Sequence, residues 1–399
     1  MKLGIISDAH HYYNDQGELG TLSLLARQFE QWADIFDQVV ICAPLISGPP
    51  RGTYKPYEKL NISLLPVENA GGNNISAKVD LIIKSFEWWK KIKELLKSVD
   101  AVHIRCPNNI SIPGLLALQP TSLYRHAVYT GSWIGHDSDP VSYRLQRYYL
   151  KHFFKGPVSV YGNWPDQPDH IIPSFSPSYS NVDWEMEIDQ VNERIERLKQ
   201  NHQTNHPIQI LTVGSLNKNK NQALVIRVLK GLLDKGYDCF LTVIGDGIER
   251  DNLERLAGEM GIIKNVKFTG LLPHEKVRES YRRADFVIQA PYSEGFGKVP
   301  IEAMFHGAVP ILSDVDMSSQ LIGEGSRGKC FEQDNINSAI EMFIRLLDNP
   351  HQIADIIING RDYTQQFTLE IWKSRLISTL NQFWETEFNE LPKFPISAE

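Results

Sequence analysis

The chain has 399 residues, 42% of them apolar and 22% charged, with a formal net charge of -7. Those values suit a soluble globular protein large enough for two domains, and the negative balance gives no general nucleic-acid footprint. No stretch approaches the roughly 20 apolar residues that a bilayer crossing needs. Cys42, Cys106, Cys239 and Cys330 have neither metal-ligand nor redox spacing, so a reduced, cytoplasmic protein is expected.

The chain opens on MKLGIISDAHH. Its apolar run is too short for a signal peptide and ends at Asp8, which predicts a first buried strand. Further short apolar runs follow at QVVICA, ISLLPV, AVHIRC and AVYTGS, with helical patterns over Leu19 to Phe36 and Val79 to Lys97. This alternation predicts a parallel sheet flanked by helices. The charged stretch from Asn181 to Pro207 predicts a connecting helix and linker.

The βα rhythm then restarts. IQILTVGS predicts a strand, and Gln222 to Lys235 a helix with an apolar stripe at 224, 225, 228, 229, 232 and 233. CFLTVIG, NVKFTG and DFVIQAP predict strands, separated by helices over Arg250 to Met260 and His274 to Ala284. A last helix is predicted over Thr368 to Phe388. The domains expected are 1–182, a connector at 183–206, a second α/β domain at 207–365, and a C-terminal helix at 366–391. In open α/β sheets ligands bind beyond the carboxyl ends of the strands, so the strand-end loops are where chemistry is expected.

One such loop is SEGFGKVPIEAMFHGAVPIL, Ser293 to Leu312. Pro300 suits the first position of a helix, and Gly307 its end. A helix start offers unpaired N–H groups and a partial positive charge. Gly295 and Gly297 let a ligand approach the backbone. Glu294 in the loop and Glu302 in the first helical turn are expected to face one small volume, where carboxylates accept paired hydrogen bonds from vicinal hydroxyls. An acidic helix start with a plain glycine turn fits the same residues. A second loop, TVGSLNKNKNQALV, has Gly214 at the strand exit and Lys220 before a helix, a good trap for a diphosphate. Lys218 is a rival for that role. VIGDGIERDNLERLA carries Gly245, Asp246 and Gly247, but Arg250 stands at the third glycine position of a dinucleotide fingerprint. FTGLLP supplies a fourth loop, whose backbone suits a base.

Over roughly Ile208 to Leu312 these four stretches, in this order, resemble the retaining glycosyltransferases of family 4, which have the GT-B fold. That resemblance implies two Rossmann-like domains facing each other across a cleft, with the C-terminal helix around Trp372 returning to the N-terminal domain. It implies a nucleotide-sugar donor held mainly by the C-terminal domain, near Gly214, Ser215 and Gly245. Glu302 is expected on the ribose hydroxyls, and Glu294 on the donor sugar together with the amides of Phe296, Gly297 and Lys298. Lys220 is expected on the diphosphate, and Gly270 to Leu272 beside the base. The family usually has arginine where this chain has Ser215, so Lys218 or an N-domain arginine is left to compensate. In DAVHIRCPN, Arg105 stands where relatives place a histidine near the sugar, and is the expected cleft-facing cation. His103 fits a histidine buried inside the sheet. Gly17 and Gly20, after the first strand, match a glycine-rich loop near the diphosphate and also suit an ordinary βα turn.

The reaction expected is transfer of a hexose-type sugar, with retention, to a hydroxyl of a glycan or lipid-linked acceptor in cell-surface polysaccharide or glycolipid synthesis. Catalysis is expected to rest on Lys220, Glu294 and Arg105, with no metal or other cofactor. Asp137 to Asp139 and Asp314 to Asp316 resemble an Asp-x-Asp metal element but lack its context. The alternatives are a sugar-nucleotide epimerase on the same scaffold and a catalytically silent nucleotide-sugar binding module. FEWWKKIKELLKSVD sets Trp88 and Trp89 beside Lys90, Lys91, Lys93 and Lys97. It suits either peripheral contact with an anionic inner leaflet or a helix packed on the sheet.

Overall fold

The computed structural model describes residues 1–47, 54–70, 75–136, 139–200 and 207–389. The chain divides into two compact units, Met1–Pro177 with Leu369–Glu399, and Ser178–Thr368.

The N-terminal unit is built on a seven-stranded parallel sheet. From one edge its strands are Ile171–Ser174, Val158–Tyr161, Tyr124–Tyr129, Ala101–Cys106, Lys2–Ile6, Gln38–Pro44 and Ile62–Val67. Central strands are covered on both faces, which is why they read as unbroken apolar runs. Ile5 lies between Ile41 and His103 in register, and all three are buried. The two short strands Val158–Tyr161 and Ile171–Ser174, at one end of the sheet, were not expected. Leu19–Leu22 was expected to begin a helix. It is instead the middle strand of a small antiparallel sheet with His11–Tyr13 and Tyr54–Pro56, and the helix starts at Ser23. The loop after the first strand is therefore a β-hairpin and not a βα turn. Gly17 sits in its tip at φ 76°, and Gly20 pairs with Pro56.

The helix Leu369–Trp384 packs on this unit. Leu376, Leu380 and Trp384 enter one core cluster with Phe29 and Trp32 of the helix Ser23–Ala33 and with Phe36 just after it. The indole of Trp384 donates to the Arg125 carbonyl at 3.2 Å. Each fully buried side chain of this size contributes about 1.5–3 kcal/mol, enough to hold a helix that follows some two hundred residues of the other unit.

The C-terminal unit has a six-stranded parallel sheet, in the order Val266–Gly270, Cys239–Ile244, Ile208–Val213, Phe286–Gln289, Val309–Ser313 and Lys329–Phe331. The helix Gln222–Asp234 buries Leu224, Val225, Val228, Leu229 and Leu232 of its predicted stripe, while Leu233 is only partly buried. The described part of the segment expected as a connector, residues 183–200, packs with this unit. Val191, Ile195 and Leu198 join its core, and Arg194 is buried with its guanidinium on the carbonyls of Tyr281, Arg282 and His306. The units divide before Ser178 and after Thr368, so the boundaries expected at 182 and 365 shift by a few residues; residues 201–206 and 390–391 lie outside the described part.

All four cysteines are free. Burial pushes the Cys42, Cys106, Cys239 and Cys330 thiols up to about 12, so none is a reactive thiolate at neutral pH. Among the described residues no helix is long and apolar enough to cross a membrane.

Candidate functional site

The strand order of the C-terminal sheet reverses between Ile208–Val213 and Phe286–Gln289. One arm of the chain runs outward through the strands at 239 and 266, and the other through those at 309 and 329. The loops leaving the two central strands therefore splay apart, and the crevice between them is where such sheets bind ligands.

Lys220 comes from the first loop and Glu294 from the second. Asn217 caps the short turn Lys218–Lys220, accepting the Lys220 N–H at 3.0 Å, and so sets the Lys220 backbone. The two loops are stitched together. The Tyr292 N–H donates to the Asn219 carbonyl, and the Asn219 amide to the Ser293 carbonyl, both at 2.9 Å. The Lys220 ammonium then meets the Glu294 carboxylate directly. Both side chains are partly exposed, at 24% and 32%, so the pair contributes no more than about 1 kcal/mol to stability. Its placement serves something other than the fold.

Around this pair lies a cavity of about 110 Å³. Residues 295–300 line it together with Gln289 and Met317. Gly297 caps the helix Lys298–Phe305 at φ 72°, a conformation that disfavours any side chain. Phe296 is buried against Phe367 at 5.5 Å. The helix starts at Lys298, so Pro300 occupies its third position and not the first; Gly307 ends it at φ 71° as expected. The Glu294 N–H donates to Asp316 at 2.8 Å. Asp314 accepts from Ser319 at 2.8 Å, so both acids of that Asp-x-Asp stretch are occupied in bracing loops. In the other stretch Asp137 lies outside the described residues, and Asp139 pairs with Arg147.

The neighbouring strand ends crowd the same edge. Gly214 passes so close to Gly245 that a Cβ on Gly245 would lie 1.9 Å from the Gly214 carbonyl oxygen. The Gly245 N–H donates to the Gly270 carbonyl at 3.0 Å. Leu272 is half-buried against Leu211, Ile244 and Tyr281. Ser215 and Lys218 are exposed and do not line the cavity.

Glu302 does not share the cavity with Glu294. It lies in the second helical turn, is buried, and has both oxygens engaged: Ser178 donates to one at 2.6 Å and Tyr281 to the other at 2.9 Å. Burial, and then the Glu302 charge, raise the Tyr281 phenol well above its ordinary value, so it remains a donor. The ring of Tyr179 stacks on Phe305 at 4.1 Å. Beyond it Glu187 takes His306, Arg278 and Arg282 on one carboxylate. Burial alone raises its pKa, but the hydrogen bonds from His306 and Arg282 overcome this and hold it well below the carboxylate range. Sequence reading missed this whole support, because Ser178 and Glu187 lie in a stretch taken for domain edge and linker.

Arg105, Gly17 and Gly20 belong to the N-terminal unit. Arg105 donates to the Gln28 amide oxygen at 3.2 Å and lies 5.8 Å above the Phe29 ring. His103 is buried in the sheet, as its position suggests.

Residues 193–363 match the family described as glycosyl transferases group 1. The chain is 30% identical over 144 residues to an alpha-D-kanosaminyltransferase of Streptomyces kanamyceticus, covering 35% of this chain and 36% of that protein. It is 34% identical over 123 residues to a D-inositol 3-phosphate glycosyltransferase of Nocardia farcinica, covering 29% and 27%. The matches thus span only 36% and 27% of those relatives' own lengths. Whole-chain likeness is structural. A sucrose-phosphate synthase of Thermosynechococcus elongatus superposes with TM-score 0.71 at 17% identity, over 96% of this chain and 99% of that one. HepE of Anabaena, solved in complex with UDP-glucose, superposes with TM-score 0.68 at 14% identity, over 96% and 100%. Residues 193–363 are thus similar to the glycosyl transferases of group 1, and the likeness to the solved structures shows the GT-B fold.

Proposed function

We propose that the protein is a retaining glycosyltransferase that moves a hexose-type sugar from a nucleotide-sugar donor to a hydroxyl of a glycan or lipid-linked acceptor. The observation that carries this reading is the Lys220–Glu294 pair in a cavity at the point where the strand order reverses. Lys220 is placed to meet a diphosphate, and the helix start at Lys298 adds the partial positive charge of its N–H groups. Both stabilise the charge that grows on the leaving nucleoside diphosphate. Glu294 takes sugar hydroxyls, and the departing phosphate oxygen takes the acceptor's proton, so the protein supplies no nucleophile. Glu302 serves the ribose only if the hydroxyls replace Ser178 or Tyr281 as its donors.

Thermal-shift screening against UDP-, GDP- and ADP-sugars tests the reading. One nucleotide class raises the melting temperature in wild type and not in Lys220→Ala, and EDTA leaves both the shift and the transfer rate unchanged. No shift from any of the three nucleotides contradicts it.

The same reading extends to the acceptor's setting. On the helix Ile75–Leu96, Ile82, Ile83 and Phe86 are exposed, with Lys90 4.6 Å above the Phe86 ring and Lys93 5.2 Å above Trp89. Trp88 faces inward and donates to the Glu68 carbonyl at 2.9 Å, so it anchors the helix to the fold. An apolar stripe flanked by lysines complements an anionic leaflet. Vesicles with anionic headgroups should sediment wild type but not Phe86→Ser with Lys90→Glu and Lys93→Glu; equal sedimentation ends the idea.

A further inference from the structure

The strand order of the N-terminal sheet also reverses, between Lys2–Ile6 and Ala101–Cys106. One arm of the chain runs through the strands at 38 and 62, and the other through those at 124, 158 and 171. The loops leaving the two central strands therefore diverge, and a crevice at such a point is where open α/β sheets take ligands. A cavity of about 100 Å³ lies there. Asp8 and His10 line it from the loop after the first strand, and Asn109 and Ile110 from the loop after the strand at 101. Pro44, Asn69 and Trp88 line it from neighbouring elements.

The lining has two parts. Pro44, Trp88 and Ile110 are buried and form an apolar wall, in which the Trp88 indole is held by its bond to the Glu68 carbonyl at 2.9 Å. The polar part is Asp8, His10, Asn69 and Asn109. Asp8 is braced by the Asn108 amide at 3.3 Å. That amide also donates to the Arg105 carbonyl at 2.6 Å, and Asn108 Oδ1 accepts the Ser111 N–H at 2.8 Å. His10 is fixed through its backbone carbonyl, which accepts the Thr21 hydroxyl at 2.7 Å. Among the described residues, the side chains of His10, Asn69 and Asn109 make no hydrogen bond to the protein, and the Asp8 carboxylate accepts only that of Asn108. A carboxylate has about four acceptor positions, and an amide has donors and acceptors of its own. Four polar side chains thus border one volume with most of their hydrogen-bonding capacity open.

Charge decides the class of ligand. Among the described residues no lysine or arginine lines the cavity, and Asp8 is its one acid. A diphosphate finds no positive partner there, so the cavity is not a second nucleotide site. A carboxylate and neutral amides beside an apolar wall match a ring with hydroxyls on its rim and C–H groups on its faces. The volume is several times the roughly 10–15 Å³ that one water requires.

We propose that Asp8, His10, Asn69 and Asn109 form a subsite for a hydroxyl-rich ring without negative charge, the terminal sugar of the acceptor. This rests on the glycosyltransferase reading and narrows it to acceptors ending in a neutral or amino sugar. Asp8 accepts a pair of neighbouring hydroxyls, the amides and the imidazole take others, and the wall around Trp88 takes the ring face.

The test is ligand-observed saturation-transfer NMR on the full chain with methyl α-D-glucoside, methyl α-D-galactoside, methyl α-D-mannoside, D-glucosamine and, as the acidic control, D-glucuronate. UDP is titrated separately by calorimetry. Wild type should bind at least one of the first four sugars, and glucuronate at least about tenfold more weakly, because its carboxylate meets that of Asp8. Glucosamine ahead of the glycosides identifies an amino acceptor, and the opposite order a neutral one. Asp8→Asn keeps the shape and an acceptor for Asn108 but loses the charge-assisted bonds. It should weaken sugar binding about tenfold and narrow the gap to glucuronate. Asn69→Ala, at an exposed position, should weaken sugar binding as well. Both variants should leave UDP binding intact, and Lys220→Met should do the reverse. Sugar binding unchanged in Asp8→Asn, or no binding of any of the four sugars by wild type, overturns the subsite. Absent UDP binding with the sugar pattern intact fails the donor reading instead.

Discussion

Lys220→Met should lower kcat/KM for sugar transfer by about 10²–10³-fold, the cost of removing one preorganised donor from a developing negative charge. The diphosphate is more negative in the transition state than in the bound donor, so the loss falls mostly on kcat. Methionine keeps the apolar stem and its packing. The ion pair with Glu294 is partly exposed on both sides, so the unfolding free energy should change by no more than about 1 kcal/mol. Glu294→Gln should behave differently. It keeps the shape and loses an acceptor for sugar hydroxyls in both ground and transition states, so KM rises more than kcat falls. A transfer rate in Lys220→Met within a few-fold of wild type would remove the lysine from the mechanism.

The second large effect is on stability. His11, His103 and His126 are buried in the N-terminal unit. Burial lowers His11 to about 4 and His126 to about 3, and burial followed by the neighbouring His126 lowers His103 well below its ordinary value. A depressed folded pKa means that the native state holds these rings neutral while the unfolded chain takes up protons below about pH 6.5. Stability is therefore fully present above that pH and is lost as pH falls toward the folded values. Each ring contributes a slope of about 1.4 kcal/mol per pH unit. Urea unfolding followed by tryptophan fluorescence between pH 7 and 5 reads this, since Trp32 packs 4.7 Å from His103. His126→Asn should lower the slope by about one proton. Stability independent of pH over that range would contradict the burial of neutral rings.

The loops at the carboxyl ends of the C-terminal strands were legible because their signals are local. A glycine at a strand exit, a lysine before a helix and a glycine at a helix start stand within a few residues of each other, and Gly214, Lys220 and Gly297 are found as read. Long-range partners were not legible. Nothing near Glu302 indicates that Ser178, 124 residues earlier, supplies its hydrogen bond, and its burial removes it from the volume that Glu294 faces. The charged stretch before residue 200 looked like a solvated connector, yet Glu187 and Arg194 are buried because each finds several partners in the C-terminal unit. Leu19–Leu22 continues the helical pattern of the following residues. Its pairing with His11–Tyr13 and with Tyr54–Pro56, more than thirty residues on, makes it a strand. The short strand Val158–Tyr161 carries a polar residue, Ser159, against His126 at 2.9 Å, which breaks the apolar pattern that would have marked the strand.

A crystal structure of the protein with its preferred nucleotide sugar tests the central claim most directly. The account predicts a diphosphate oxygen within hydrogen-bonding distance of the Lys220 ammonium, with sugar hydroxyls on Glu294 and on the backbone between Phe296 and Lys298. A donor bound elsewhere, with the Lys220–Glu294 pair still closed on itself, would contradict it.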